Sequence, residues 1–231
     1  MYYLIIASIL SADPSALRLH GKIEERINET TVNTKYAISG AVAVDIPELK
    51  HRLTDKHIGF AMTAAHCIFK NYDYVVHSFN DGVYHEWPAA LLEKDDDLDI
   101  AILVVTKTKA PWFSKPLANR NYQYNLKSEY IASGCPKASD PDEAKLRPLQ
   151  RMRYKVFLRG HRNSGHSGGP LYENNCDSAI GICNSTTVGP RVEIAVGFGL
   201  IGLTGPEKME SVDYCVFTNI SGIYNLIDRA K

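Results

Sequence analysis

A serine, a histidine and an aspartate stand in sequence surroundings that suit nucleophilic catalysis. Ser167 lies in GHSGGP, where glycines on both sides permit a tight turn and let backbone amides approach a ligand. His66 lies in the small-residue segment TAAHC, and Asp99 directly precedes the apolar run from Ile100 to Val105. A serine hydroxyl is a weak nucleophile at neutral pH, so it needs an imidazole to accept its proton and a carboxylate to orient that imidazole. The three residue types therefore indicate acyl transfer through a serine.

Each of these residues also has an ordinary structural interpretation. A glycine-rich turn around a serine is usually only a turn, a lone histidine is usually a satisfied core or surface residue, and an aspartate before an apolar strand is common in loops. Asp95, Asp96 and Asp97 compete with Asp99, but only Asp99 directly precedes the apolar run. The other three are more typical of a solvated acidic loop.

The segments TAAHC, DLDIAIL and GHSGGP, in that order, resemble the motifs of the chymotrypsin-like (trypsin-fold) serine peptidases. The resemblance runs over roughly residues 38–228. It implies a serine endopeptidase that hydrolyses peptide bonds through an acyl-enzyme on Ser167, with His66 as general base and Asp99 as its orienting carboxylate. It also implies an oxyanion hole formed by the backbone N–H groups of Gly165 and Ser167. We expect such an enzyme to gain activity with pH through about 6.5 to 7, as its histidine loses a proton.

The resemblance also places the substrate pocket, which His161, Arg162, Cys183 and Asn184 are expected to line. In trypsin an aspartate six residues before the serine meets a substrate Arg or Lys, whereas this chain has His161 there, so poor cleavage after Arg or Lys is implied. The stretch 145–162 has seven Lys or Arg and no acid. It indicates either a strand with one solvated face or a cationic setting that favours an acidic substrate side chain.

Two departures from the digestive members of the family concern activation and cross-linking. Those enzymes carry an aspartate directly before the serine, which receives a new N-terminal ammonium, whereas this chain has His166. Cys67 follows the histidine as in the family, yet no cysteine precedes it in the chain. Cys183 and Cys215 fall on strands that flank the pocket in this fold, where they either pair or stay as buried thiols.

The remaining sequence consists mostly of short apolar stretches separated by turn residues, which is typical of an all-β protein. The resemblance implies two six-stranded antiparallel β-barrels packed together, with a C-terminal α-helix. Ile220, Ile223, Tyr224 and Ile227 have the spacing of one buried helical stripe and predict that helix. The predicted strands are Ile38–Ile46, His57–Thr63, Tyr74–Phe79, Ile100–Val105, Tyr130–Ser133, Arg151–Leu158, Pro170–Tyr172, Ala179–Cys183, Ile194–Ile201 and Tyr214–Thr218.

The apolar pattern lapses between residues 106 and 128, which predicts a domain boundary near 115. Residues 22–115 then form the barrel with His66 and Asp99, and residues 116–231 form the barrel with Ser167 and the helix. Residues 1–21 are a candidate signal or leader segment, because YYLIIASIL fits either a signal peptide or a buried first strand. The signal interpretation predicts a secreted or extracytoplasmic protein.

The amino-acid composition limits the classes of partner that we expect this protein to bind. The chain has 231 residues, 45% hydrophobic and 23% charged, which excludes wholesale disorder and coiled coils. Its 26 basic and 26 acidic residues balance, so we expect a protein or peptide substrate, no nucleic acid and no stable membrane insertion. The cysteine spacing is not of the zinc type, and the resemblance implies no metal and no organic cofactor. The oligomeric state stays open.

One rival function shares this fold. A catalytically inactive homologue would keep both barrels and act as a protein-binding or regulatory module. The presence of His66, Asp99 and Ser167 together argues against it. An esterase of the α/β-hydrolase type is disfavoured by the chain order, which in that fold is Ser, Asp, His.

Overall fold

A computed structural model describes residues 15–26, 32–80, 83–134, 142–160, 166–174, 177–187 and 214–231. These residues form strands, two short 3-10 helices (Pro47–Arg52 and Ala65–Cys67) and one α-helix, α1 (Ile220–Ala230). The strands are β1 (Ala16–Arg26), β2 (Val32–Asp45), β3 (His57–Thr63), β4 (Asp73–Asn80), β5 (Val83–Asp95), β6 (Ile100–Thr106), β7 (Lys115–Pro116), β8 (Tyr130–Gly134), β9 (Asp142–Arg151), β10 (Lys155–Arg159), β11 (Pro170–Glu173), β12 (Ala179–Thr187) and β13 (Tyr214–Asn219).

The strands close into two six-stranded antiparallel barrels. The first has the order β1-β4-β5-β6-β3-β2 and is closed by pairing of β1 with β2, while β7 adds to β2 in parallel. The second has the order β10-β13-β12-β11-β8-β9 and closes on itself. After β7, Leu117 bridges to Ala179 in the second barrel. The predicted fold class is therefore confirmed.

Strand β6 explains why an unbroken apolar run follows Asp99. Ile100 and Ile102 pack in a cluster that both barrels share, whereas Ala101, Leu103 and Val105 pack inside the first barrel. A strand covered on both faces carries apolar residues at every position instead of alternating. The position before this run therefore lies where the two barrels meet.

Helix α1 follows β13 and packs against elements of both barrels. Asn219 caps it, because its side chain accepts hydrogen bonds from the N–H groups of Ser221 and Gly222. Ile220, Ile223 and Ile227 are buried, as their spacing predicted. The helix has 11 residues, and within the described ranges no helix is both long and apolar enough to cross a membrane.

Several elements differ from the sequence expectation. Strands β1, β5, β7 and β9 were not predicted, and the predicted strand from 151 to 158 breaks at a turn where the N–H of Met152 donates to the oxygen of Lys155. Residues 16–21 belong to β1, where Leu17 and Leu19 are buried, although the sequence grouped them with a leader segment. Residues 1–14 and the predicted strand 194–201 lie outside the described ranges.

Candidate active site

His66 and Asp99 are brought together by the pairing of β3 with β6. Thr63 lies opposite Ala101 in this antiparallel pair, so the 3-10 turn after β3 meets the residue before β6. The ring Nδ1 of His66 lies 2.9 Å and 3.0 Å from the two carboxylate oxygens of Asp99. The backbone N–H of His66 also donates to Asp99 Oδ1 at 2.9 Å. The carboxylate therefore fixes both the ring and its backbone.

This pairing shifts the pKa values of both groups. The hydrogen bond to Asp99, followed by one to the Cys67 thiol, raises the pKa of His66 to about 10, above the 6.5 to 7 expected from the sequence. Burial alone would raise the pKa of Asp99, but the hydrogen bonds from the His66 side chain and backbone outweigh it and lower that pKa. The pair thus favours an imidazolium beside a carboxylate.

The neighbouring acids do not compete for His66, although one departs from its predicted role. Asp96 and Asp97 are exposed, as expected of a solvated loop. Asp95 is only 9% exposed, because one carboxylate oxygen accepts from the N–H of Leu98 at 2.8 Å and the other lies 2.6 Å from the Arg229 guanidinium. Asp95 therefore ties the loop before Asp99 to helix α1.

Ser167 lies in a turn that packs against the first barrel. The N–H of Gly169 donates to His166 O at 2.9 Å, and the N–H of Gly40 donates to Ser167 O at 2.8 Å. Gly168 has a φ of +85°, and a Cβ there would lie 2.1 Å from both Gly40 O and Thr63 Oγ1. Only glycine fits this close approach between the barrels.

Ser167 and His66 face one cavity of about 340 Å³. Among the described atoms, the Ser167 hydroxyl donates to the backbone oxygen of Asn184 at 3.3 Å and not to the His66 ring. The other lining residues come from β2 and the segment after β3: Tyr36, Ala37, Ile38, Ser39, Cys67 and Phe69. A serine and a carboxylate-bound imidazole thus open onto a common space.

Solved structures with the same arrangement of barrels are known. The chain is similar to the serine endoprotease from Yersinia pestis, at 17% identity and a TM-score of 0.61, with 95% of this chain and 63% of that chain covered. The chain is also similar to a mutant, inactive form of Rv3671c from M. tuberculosis H37Rv, at 13% identity and a TM-score of 0.61, with 94% of this chain and 86% of that chain covered. The inactive form of the Rv3671c protease gives the same identity and score, with coverage of 95% and 90%.

Two closed barrels and this likeness decide the architecture. The chain has the chymotrypsin-like serine peptidase fold. It spans 63% of the Yersinia pestis chain, less than two thirds of that protein. No model of a protein family and no curated protein sequence matches it.

Within this peptidase fold, the predicted substrate pocket is described only in part. His161, Arg162 and the predicted oxyanion residue Gly165 lie outside the described residues. Cys183 is buried in β12. Its backbone oxygen accepts a hydrogen bond from the N–H of Gly168, and its N–H donates to the backbone oxygen of Gly169. Asn184, also predicted to line the pocket, is buried; its side chain donates to the backbone oxygen of Asp99 at 2.6 Å, and its own backbone oxygen accepts from Ser167.

His166 occupies the position before the serine and is 2% exposed. It packs so closely on Gly134 that a Cβ at that glycine would lie 2.5 Å from the His166 ring. The His166 side chain is therefore buried against the end of β8, at the position before Ser167.

The cysteines and possible metal ligands can be placed in the same way. Cys67 is a reduced, buried thiol beside His66. The ladder of β12 and β13 sets Cys183 opposite Phe217 and Cys215 opposite Thr186, so it does not align the two cysteines. In the part of the chain that the structure describes, no cluster of three or more His, Cys, Asp or Glu could hold a metal ion.

Lys155 and Thr218 were missed by the sequence interpretation. The sequence left Lys155 either on a strand with one solvated face or in a cationic setting near the pocket, yet its Nζ is directed to the backbone oxygen of Leu98 at 2.5 Å. The Thr218 hydroxyl donates to the same oxygen at 2.5 Å. No local pattern indicates these contacts, because the partners lie 57 and 120 positions away in the chain.

Proposed function

We propose that the protein is a serine endopeptidase in which His66, Asp99 and Ser167 form a catalytic triad. The observation that carries the proposal is the two-point bonding of Asp99 to His66 at the rim of a cavity shared with Ser167. A carboxylate on Nδ1 holds the imidazole with Nε2 available as the base. The same constellation in a non-catalytic module would have no chemical purpose.

The reaction begins when the Ser167 oxygen attacks the substrate carbonyl. His66 Nε2 takes the hydroxyl proton, and the C–O bond forms as the carbonyl π pair moves to oxygen. For this step the Ser167 hydroxyl must turn from Asn184 O toward the His66 ring. The hydrogen bond between a catalytic serine and its histidine commonly tightens only when substrate is present. The N–H groups of Ser167 and Gly165 are the proposed donors to the oxyanion.

The intermediate then collapses to an acyl-enzyme. The C–N bond breaks, and His66 gives its proton to the leaving amine. Water, deprotonated by His66, attacks the ester carbon and releases Ser167 with its proton restored. Asp99 stays ionised and stabilises the imidazolium in both halves, which agrees with its lowered pKa.

The cavity supports a proposal about the leaving side of the substrate. His66 protonates the leaving amine, so the residues after the scissile bond lie on its side of Ser167. The cavity that His66 lines is also lined by Tyr36, Ile38 and Phe69, which are 67%, 41% and 47% exposed. An apolar side chain placed there would cover apolar surface that solvent now contacts. We therefore expect apolar residues after the cleaved bond, and, from His161 and Arg162, poor cleavage after Arg or Lys.

The test is hydrolysis of a peptide library by the wild type, by Ser167→Ala and by the matched exposed-site control Ser114→Ala. We expect turnover and fluorophosphonate labelling in the wild type and the control, and loss of both in Ser167→Ala. A folded wild type that neither cleaves the library nor takes the label would instead support the rival, a non-catalytic binding module. Equal turnover in Ser167→Ala would refute the assignment of the nucleophile.

A further inference from the structure

Lys155 makes contacts that the proposed reaction does not use. Its ammonium lies 2.5 Å from the backbone oxygen of Leu98, 2.9 Å from Asn184 Oδ1 and 3.0 Å from Thr218 Oγ1. An ammonium has three N–H donors, so these three acceptors account for all of them. Lys155 is on the second barrel, whereas Leu98 belongs to the loop of the first barrel that carries Asp99.

The peptide groups on both sides of Asp99 are held from the second barrel. The oxygen of Leu98 accepts from Lys155 and Thr218, and the oxygen of Asp99 accepts from the Asn184 side chain at 2.6 Å. Asn184 Oδ1 in turn accepts from Lys155 at 2.9 Å and lies 2.9 Å from the Thr218 hydroxyl oxygen, whose single proton is directed to Leu98 O. The three side chains form one network around a single residue of the opposite barrel.

Asp99 needs such support because its backbone is strained. Its φ is +51°, in the left-handed region that side chains other than glycine rarely adopt. A conformation of this kind persists only where the surroundings fix it. If the flanking peptide groups were released, the backbone would relax to an ordinary conformation and carry the carboxylate away from His66.

The charges around Lys155 agree with this role. Burial lowers the pKa of Lys155, and the carboxylates of Asp99 and Asp95 oppose that decrease. Asp95 is bound by Arg229, and Asp99 by His66, so neither forms a direct ion pair with the ammonium. The ammonium is therefore held by neutral oxygens, which fixes backbone positions more than it neutralises charge.

We propose that Lys155 is a positioning residue, which binds the Leu98 peptide group together with Thr218 and so keeps Asp99 in the backbone conformation that bonds His66. The proposal rests on the proposed function only for its effect on catalysis. The effect on the His66–Asp99 pair does not depend on peptide hydrolysis.

The experiment measures the pKa of His66 by NMR titration of its ring, together with kcat and KM, in Lys155→Met. We expect the His66 pKa to fall toward its ordinary value of about 6.5, because the largest contribution to its increase is the bond to Asp99. The value of kcat should fall by about 10- to 100-fold with KM little changed, since small misplacements at a reacting centre have effects of this size. A purely electrostatic role predicts the opposite shift, because removing a cation stabilises the imidazolium and raises the His66 pKa.

Matched variants separate positioning from charge and from folding. Thr218→Val removes a neutral hydroxyl from the same Leu98 oxygen and should also lower the His66 pKa, whereas Lys127→Met makes the same change of net charge at an exposed site and should leave it unchanged. If Lys155→Met does not fold by circular dichroism, Lys155→Gln keeps two of the three N–H donors without the charge and tests the same shift. A His66 pKa that rises or stays constant in the folded Lys155 variants would overturn the proposal. A lowered pKa in a protein without peptidase activity would uphold it and overturn the proposed function instead.

Discussion

Asp99 bonds His66 at two points, the ring Nδ1 and the backbone N–H, from a left-handed backbone conformation with a φ of 51°. The two bonds fix the ring orientation and the turn after β3 with a single carboxylate. Because Asp99 precedes β6 and His66 follows β3, this contact depends on the pairing of these two strands. The second barrel completes the arrangement by holding the peptide groups around Asp99.

Replacing Asp99 by asparagine should lower kcat/KM by about 10³- to 10⁴-fold. The amide can offer an N–H to the ring and so favour the tautomer that lacks a free Nε2 base. The measurement is steady-state hydrolysis of one peptide, with the exposed Asp97→Asn as control. Activity within a few-fold of the wild type would mean that another group orients His66.

The pH dependence of activity should reflect the raised pKa of His66. Only the neutral imidazole accepts the serine proton, so kcat/KM should rise with pH, with a midpoint above the ordinary 6.5 and toward about 10. Asp99→Asn should move the midpoint of its residual activity back toward 6.5. A wild-type midpoint at or below 6.5 would contradict the bonding seen between the two side chains.

The same shift predicts how stability changes with pH. Because the pKa of His66 is higher in the folded state than in the unfolded state, its protonation stabilises the fold. This stabilisation is present in full below the unfolded-state pKa of about 6.5 and is lost as the pH rises through the folded-state pKa of about 10. The stability difference between the wild type and His66→Ala should therefore shrink between pH 6.5 and 10. Urea unfolding at several pH values measures it, and a difference that grows with pH would contradict the prediction.

Alanine at position 168 should disrupt the turn that carries Ser167. Its Cβ would clash with Gly40 O and Thr63 Oγ1, and the φ of +85° is unfavourable for alanine. We expect a loss of about 1–3 kcal/mol in the free energy of unfolding and slower fluorophosphonate labelling of Ser167. Thermal unfolding and labelling rates measure the two effects, and unchanged values in both would show that the turn tolerates a side chain.

Phe69→Ala should weaken the preference for apolar residues after the scissile bond. Burial of an apolar side chain contributes about 1.5–3 kcal/mol, so partial loss of the cavity wall should lower kcat/KM for such peptides by roughly tenfold. Peptides with a small polar residue at that position should be cleaved as before. Leu126→Ala is a matched control, because Leu126 is 61% exposed and does not line this cavity. An equal loss for all peptides would argue against an apolar subsite.

The sequence was most informative where local chemistry is decisive. Glycines around Ser167 reflect a turn that admits no Cβ at 168, and the apolar run after Asp99 reflects a strand covered on both faces. The spacing of Ile220, Ile223 and Ile227 places the helix correctly, because a helix buries one stripe whatever its partner is. Each of these features leaves a pattern in consecutive residues, so it can be recognised before the distant partners are known.

Strands β5 and β9 escaped prediction for a physical reason. Strand β5 contains Pro88 and exposes much of its length, so it lacks the apolar alternation of a half-buried strand. In β9, Leu146 is fully buried, but its neighbours along the strand are mostly charged residues and Pro148. Backbone hydrogen bonds to neighbouring strands define such strands, and the residue types along them do not show a strand pattern.

The tertiary structure alone decided the directions of the polar side chains at the site. Asp95 was assigned to a solvated loop, and Lys155 either to a solvated strand face or to a cationic setting near the pocket. Each is directed instead to a partner more than fifty positions away, Arg229 and Leu98. The side chain of Asn184 bonds the Asp99 backbone, a contact that no local pattern around Asn184 indicates. Residue types and order along the chain specify what chemistry is available, whereas barrel closure and the docking of one barrel on the other determine which polar groups meet, because those contacts join segments that are remote in sequence.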